Sequence, residues 1–236
     1  GVTLKDVYAL QNGAPMVHDI TPSINKSRYR GYLRVSRKGR GARPWMLQGT
    51  WPSALEIQEH EIEHGRMFTM MDDLLANNVC VIGTEIRNSL FDEVDDQGET
   101  IIPIGERILI NYVPFTIVGM YERMESEADR KKREYKLAME KTRSGPKRES
   151  SFYSHGSRYW RKNNTIHIPL NTMWMKFRMA SASTSSSSSR FSSQSSSSSE
   201  PTVYVPDPTL SDFDAKVVDL ELMDKALAQI RNIMIQ

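Results

Sequence analysis

Asn78-Val79-Cys80-Val81-Ile82-Gly83 opens the stretch whose reading decides the fold. An apolar, β-favouring run stopped by glycine predicts a short buried strand. Glu85 to Phe91 follows, with Ile86, Leu90 and Phe91 on one side, and predicts a short helix. After Pro103-Ile104-Gly105 come two more β runs, Arg107 to Asn111 and Pro114 to Tyr121. Only Tyr112 and Val113 separate them, so the pair predicts a hairpin.

Working outward towards the N-terminus, Thr3 and Asp6 form a capping-box pattern before Leu4, Val7 and Leu10. A helix is expected there, ending at Gly13 and Pro15. Met16 to Ile24 predicts a strand, with Pro22 marking an edge or a bend. Tyr29, Gly31, Leu33 and Val35 alternate with polar or exposed-type residues, which predicts a strand with one polar face. Gly39-Arg40-Gly41 reads as its turn and Pro44 to Gln48 as the returning strand.

Towards the C-terminus the composition shifts. Glu122 to Glu149 carries ten basic and seven acidic residues, so a solvated helical excursion is expected there. Thr165 to Leu170 returns to strand character, and Leu170 to Met179 predicts an amphipathic helix. Residues 181–199 contain fourteen serines and too little apolar surface to offset the entropy of ordering, so they read as a flexible loop. Thr202 to Val205 reads as a strand. Asp219 to Gln236 reads as a helix with an apolar stripe of Met223, Leu227, Ile230 and Met234. Gly1 in place of Met, and a closing helix without a C-cap, are expected of a piece of a longer chain.

The 236 residues suit one large domain or two small ones. Lysine and arginine total 31 against 29 acidic residues, a balance that argues against a dedicated nucleic-acid binder. The single cysteine, Cys80, excludes an internal disulfide framework and a cysteine-based zinc cluster. No apolar run reaches the roughly 18 residues that suggest a membrane span. Neither a P-loop, a dinucleotide fingerprint nor a nucleophile elbow is present, so no catalytic or cofactor-binding residue is assigned.

Three constellations stand out. His60-Glu61-Ile62-Glu63-His64 matches the zinc-peptidase pattern, in which a helix would put His60 and His64 on one face with Glu61 as base. Gly65 would cap such a helix at once and no third ligand is evident; the bland reading is an exposed polar segment. Lys26 to Arg43 holds eight basic residues and no acidic one. Arg28, Arg30, Arg34 and Arg37 are therefore candidate contacts for lipid headgroups, weighed against a merely solvated hairpin face. Phe152, Tyr153, Tyr159 and Trp160, interleaved with basic residues, are candidate partner contacts or a means of packing the insert onto its own domain.

The ordered series from Val79 to Gly119 resembles the extracytoplasmic core domain of MacB-like ABC transporter permeases, related to the FtsX and LolC proteins. The resemblance rests on Val79-Cys80-Val81-Ile82-Gly83, Leu90-Phe91, Pro103-Ile104-Gly105, Ile108 with Ile110, and Phe115-Thr116-Ile117-Val118-Gly119. Gly65-Arg66-Met67-Phe68, Ile168-Pro169-Leu170 and the closing helix with Ala226 and Ile230-Arg231 agree in order.

The resemblance implies an α+β fold. A porter-like subdomain would comprise residues 1–83 and 201–236, with residues 84–200 inserted as a second subdomain. The insert would hold the charged stretch at about 122–164 and the serine loop at 181–199, both unusual for the family. It further implies a non-catalytic domain without cofactor, held on the outer face of the bacterial inner membrane between membrane helices. Cytoplasmic ATP hydrolysis would drive export or extraction of a substrate. The implied partners are the protein's own membrane helices, the ATPase, a second copy and a periplasmic adaptor; nucleic acid is not among them. A zinc-dependent peptidase using His60, Glu61 and His64 is the alternative from the enzyme class.

Overall fold

The computed structural model describes residues 1–27, 33–91, 101–131, 134–135, 158–178 and 209–234. Within them ten strands form one mixed sheet, in an α+β arrangement. The strands are β1 (Val17–Ser27), β2 (Val35–Arg37), β3 (Arg40–Ala42), β4 (Met46–Thr50), β5 (Ile62–Gly65), β6 (Val79–Ile82), β7 (Arg107–Ile110), β8 (Val113–Tyr121), β9 (Thr165–Pro169) and β10 (Asp212–Val217). Their order is β10-β1-β4-β9-β6-β8-β7-β2-β3, with β5 paired to the far end of β8. The β4/β9 and β6/β8 pairs are parallel and the others antiparallel.

Local chemistry explains the elements that begin and end the chain. In α1 (Leu4–Gly13) the Asp6 carboxylate accepts from the Thr3 amide at 2.7 Å and the Thr3 hydroxyl at 2.9 Å. That satisfies a helix-end donor and draws the Asp6 pKa down, chiefly through the backbone bond. The closing helix α7 (Met223–Met234) packs on α1, and Gln229 accepts from the Met16 amide at 3.3 Å. Its inward stripe is rotated from the expected one: Ala226 is buried and Ile230, Ile233 and Met234 reach the core, whereas Met223 and Leu227 are exposed.

Other expectations are corrected by register. The hairpin β7–β8 forms, but its turn is Asn111-Tyr112, with φ of 45° and 69°. Two positive values match the twist of an antiparallel pair, which moves the turn one residue back. The strand that returns on β2 is β3, after a turn at Lys38-Gly39; β4 instead pairs with β1 and β9. The strand β10 and the helices α2 (Ala54–Ile57) and α3 (Met70–Leu74) are additions to the expected elements. The expected helix after Ile82 is α4 (Thr84–Leu90). The one after β9 is α6 (Leu170–Met173), which runs on into a π-helical turn, Trp174–Arg178. Residues 127–131 are helical within the charged stretch. Thr202 to Val205, the serine tract and residues 28–32 lie outside the described residues.

Alternation along the strands separates two faces. Cys80, Ile82, Phe115, Ile117, Ile166 and Ile168 enter the main core with Leu10, Leu47, Phe91 and Met173. On the opposite face Val81 and Tyr121 join Phe68 in a smaller cluster, with Leu55, Ile62, Met67 and Val118 beside it. That second face carries the polar residues described next. The Gly83 amide donates to the Thr165 carbonyl at 3.0 Å, carrying the β6/β9 pairing one residue past Ile82.

Candidate functional site

Strands β4, β9 and β8 place polar side chains on the second face, with β6 between the last two. Gln48 of β4 is in register with His167 of β9, and His167 is in register with Val81 of β6. His167 is buried, with Nε2 at 2.8 Å from Gln48 Oε1 and Nδ1 at 2.6 Å from the Tyr121 hydroxyl. A carbonyl oxygen only accepts, so Nε2 carries the proton and Tyr121 donates to Nδ1. Burial drives the His167 pKa well below its ordinary value, and the neighbouring His60 adds to this.

His60 follows α2 and precedes β5, so His60 to His64 is not helical. Its ring stacks on Tyr121 at 4.4 Å and meets His167 edge-on at 5.5 Å. It is 7% exposed, and its Nδ1 is buried without a hydrogen-bond partner. Burial, helped by the charge of Lys162, brings its pKa down to about 4. His64 lies on β5, pairing with Met120, and its Nε2 is 4.0 Å from Glu63. His60 stands before the strand that carries His64, and no group of three or more His, Cys, Asp or Glu residues able to hold a metal occurs among the described residues. The zinc-peptidase reading is thereby corrected: its i, i+4 geometry requires a helix that the chain does not form.

A cavity of about 490 Å³ opens over this face. Gln48, His60 and His167 line it together with Trp45, Gln58, Glu59 and Asp214. Along one side runs α5 (Arg158–Asn163), which contributes Arg158, Arg161 and Lys162. The Arg161 guanidinium sits 4.9 Å over the Trp45 ring, which itself packs edge-on against buried Trp160. Lys162 donates to the Gln58 carbonyl at 2.7 Å, and the Gln58 amide donates to Asp214 at 2.9 Å. Partial burial and the nearby Arg158 lower the Lys162 pKa.

The contact residues read from the sequence fall differently. Tyr159 is exposed on α5 and Trp160 is packed beneath it; Phe152 and Tyr153 lie outside the described residues. Arg34 is exposed, and its amide donates to the Asn111 side chain at 2.8 Å. Arg37 is buried, pairing with Glu106 at 3.2 Å and lying 4.1 Å over the Phe91 ring. Arg28 and Arg30 lie outside the described residues. Sequence reasoning missed Gln48, Tyr121 and His167. The one usable signal was His167 between Ile166 and Ile168, a polar residue of opposite phase in a buried strand.

The glycine motifs mark close backbone approaches near the site. Gly65, at φ 78°, pairs with Gly119, and a Cβ on Gly119 would stand 2.2 Å from the Arg66 carbonyl oxygen. Arg66 then reaches Asp72 at 3.0 Å. Burial would raise the Asp72 carboxyl, yet bonds from Thr69, Asn77 and Arg66 bring it down to about 2.

This fold and its motif order coincide with one family. The MacB-like periplasmic core domain matches residues 1–233, and the chain belongs to that family. A macrolide export ATP-binding/permease protein MacB of Syntrophobacter fumaroxidans is 33% identical over 119 residues, covering 50% of this chain and 15% of that protein. A pyoverdine export ATP-binding/permease protein PvdT of Pseudomonas entomophila is 33% identical over 121 residues, covering 50% of this chain and 16% of that protein. The chain therefore aligns with a small part of these relatives' length. Among solved structures, the periplasmic region of MacB from Actinobacillus actinomycetemcomitans overlays with a TM-score of 0.58 at 12% identity, over 99% of this chain and 74% of that one. The extracellular domain of the ABC-type transporter YknZ gives 0.57 at 12% identity, over 95% and 78%. At that identity the two structures speak to the fold alone. No helix among the described residues is long and apolar enough to cross a membrane.

Proposed function

We propose that this chain is the extracytoplasmic domain of an ABC transporter permease. Its role is to couple cytoplasmic ATP hydrolysis to export or extraction of a substrate at the outer face of the membrane, without catalysing a reaction itself. Membership of the MacB-like family over residues 1–233 is the observation that carries this reading. The packing of α1 on α7 supports it, because the first and last helices then belong to one packed unit. A movement applied at either end would reach the same sheet, which is what a mechanical coupler needs.

The partners in this proposal are the protein's own membrane helices, a cytoplasmic ATPase, a second copy of the chain and a periplasmic adaptor. Tyr159 and Arg34, both exposed, stay in it as a partner contact and a headgroup contact. The division into a porter-like subdomain of residues 1–83 with 201–236 and an inserted subdomain of residues 84–200 stays in it too. The parent coding sequence tests the placement. The account expects an apolar run of about 20 residues shortly before Gly1 and another shortly after Gln236; polar flanks on both sides would contradict it.

A further inference from the structure

We propose that the cavity over Gln48, His60 and His167 is a binding site for a small organic acid, whose carboxylate or phosphate is held by Arg158, Arg161 and Lys162. The inference stands on the cavity itself and is independent of the transport reading.

Arg158, Arg161 and Lys162 stand at i, i+3 and i+4, the spacing that puts three side chains on one helix face. All three line the same concave volume. A solvated basic face has no such concavity and no reason to border buried rings. Here His60 lines the same volume, more than nine-tenths buried, with a ring nitrogen left without a partner. Both imidazoles are held neutral by burial, so they add polarity without charge. Of the two acidic lining residues, Asp214 accepts from the Gln58 amide, and Glu59, exposed like Arg158 and Arg161, acts on Lys162. The three cations therefore outnumber the carboxylates facing the same volume, and an anionic group is the complement.

Shape selects the rest of the ligand. A volume of about 490 Å³ falls within the range of small-molecule sites, roughly 300–1,000 Å³. Trp45 offers a ring wall and fixes the Arg161 guanidinium by stacking, so one donor fork is already oriented. Lys162 is similarly tethered through Gln58. Metal binding is a poor fit, since the cations repel it.

The test titrates residues 1–236 with benzoate, phenyl phosphate and neutral benzyl alcohol, following the His60 ring resonances by NMR. The expected result is a saturable shift with at least one acid, weakened by added salt, and none with benzyl alcohol. The tighter of the two acids identifies the recognised group. The Arg158→Gln/Lys162→Gln double variant should bind the acid about tenfold or more weakly, the loss expected on removing charged partners. If the double variant fails to fold, Arg158→Gln alone, at an exposed position, supplies the comparison. No saturable shift with either acid, equal response to benzyl alcohol, or undiminished binding by the charge variant would each overturn the proposal.

Discussion

The Tyr121 hydroxyl donates to His167 Nδ1 across 2.6 Å, joining the end of β8 to the middle of β9 through two buried side chains. Both ends of the imidazole are thereby satisfied, since Nε2–H donates to Gln48 Oε1. Removing the hydroxyl leaves a buried acceptor without a donor. Tyr121→Phe should cost about 1–3 kcal/mol of stability. Urea unfolding measures it, and an unchanged midpoint would show that the bond contributes nothing.

Acid should weaken the fold through the same cluster. His60 titrates near 4 in the folded chain because of burial and Lys162, against about 6.5 when unfolded. Between those values the unfolded chain binds more protons, so stability rises with pH across that window. It is fully present above about pH 6.5 and is lost as pH falls towards 4, by roughly 3 kcal/mol for His60 alone. His167 shifts in the same direction. His60→Phe should flatten the slope. Equal slopes for the two proteins in urea melts from about pH 7 to about pH 4 would refute this.

Gly119 has no room for a methyl group. A Cβ there would lie 2.2 Å from the Arg66 carbonyl oxygen and 3.0 Å from its carbonyl carbon. Both atoms are backbone, so relief requires parting β5 from β8. Gly119→Ala should destabilise by about 1–3 kcal/mol, the range for overpacking a filled interior. A thermal melt at the parent's temperature would contradict the close approach.

Coupling predicts movement that follows the nucleotide. Leu109 is exposed and Cys80, the single cysteine of these 236 residues, is buried, so a Leu109→Cys variant with any further cysteine replaced takes a label at one place. On the proposed function, which includes a second copy, the distance between labels on two copies of the full-length protein should change on adding a non-hydrolysable ATP analogue. An unchanged distance while ATP is hydrolysed would separate this domain from the ATPase cycle.

The sequence was most legible where neighbours in the chain decide the structure. Thr3 and Asp6 cap α1 from three residues apart, and Val79–Ile82, Thr84–Leu90 and the β7–β8 hairpin follow local pattern. The site was not legible because its bonds are long-range. Gln48 and His167 are separated by 119 residues, and Tyr121 and His167 by 46. Periodicity says that His167 opposes its isoleucine neighbours but not which strands flank it. The misplaced return strand has the same origin: β4 is drawn away from β2 by pairing with β1 and β9, which no local pattern announces. In Asp212–Val217, acidic and basic residues alternate with Phe213, Ala215 and Val217, and a partner strand from the other end of the chain makes it β10.

The most direct test of the central claim is the side of the membrane on which this domain lies. Full-length protein carrying Leu109→Cys, with any cysteine outside these 236 residues replaced by serine, would be treated in intact spheroplasts with a membrane-impermeant thiol reagent, buried Cys80 remaining unreactive. The account predicts complete labelling without lysis. Labelling only after the membrane is broken would place the domain in the cytoplasm and contradict the account.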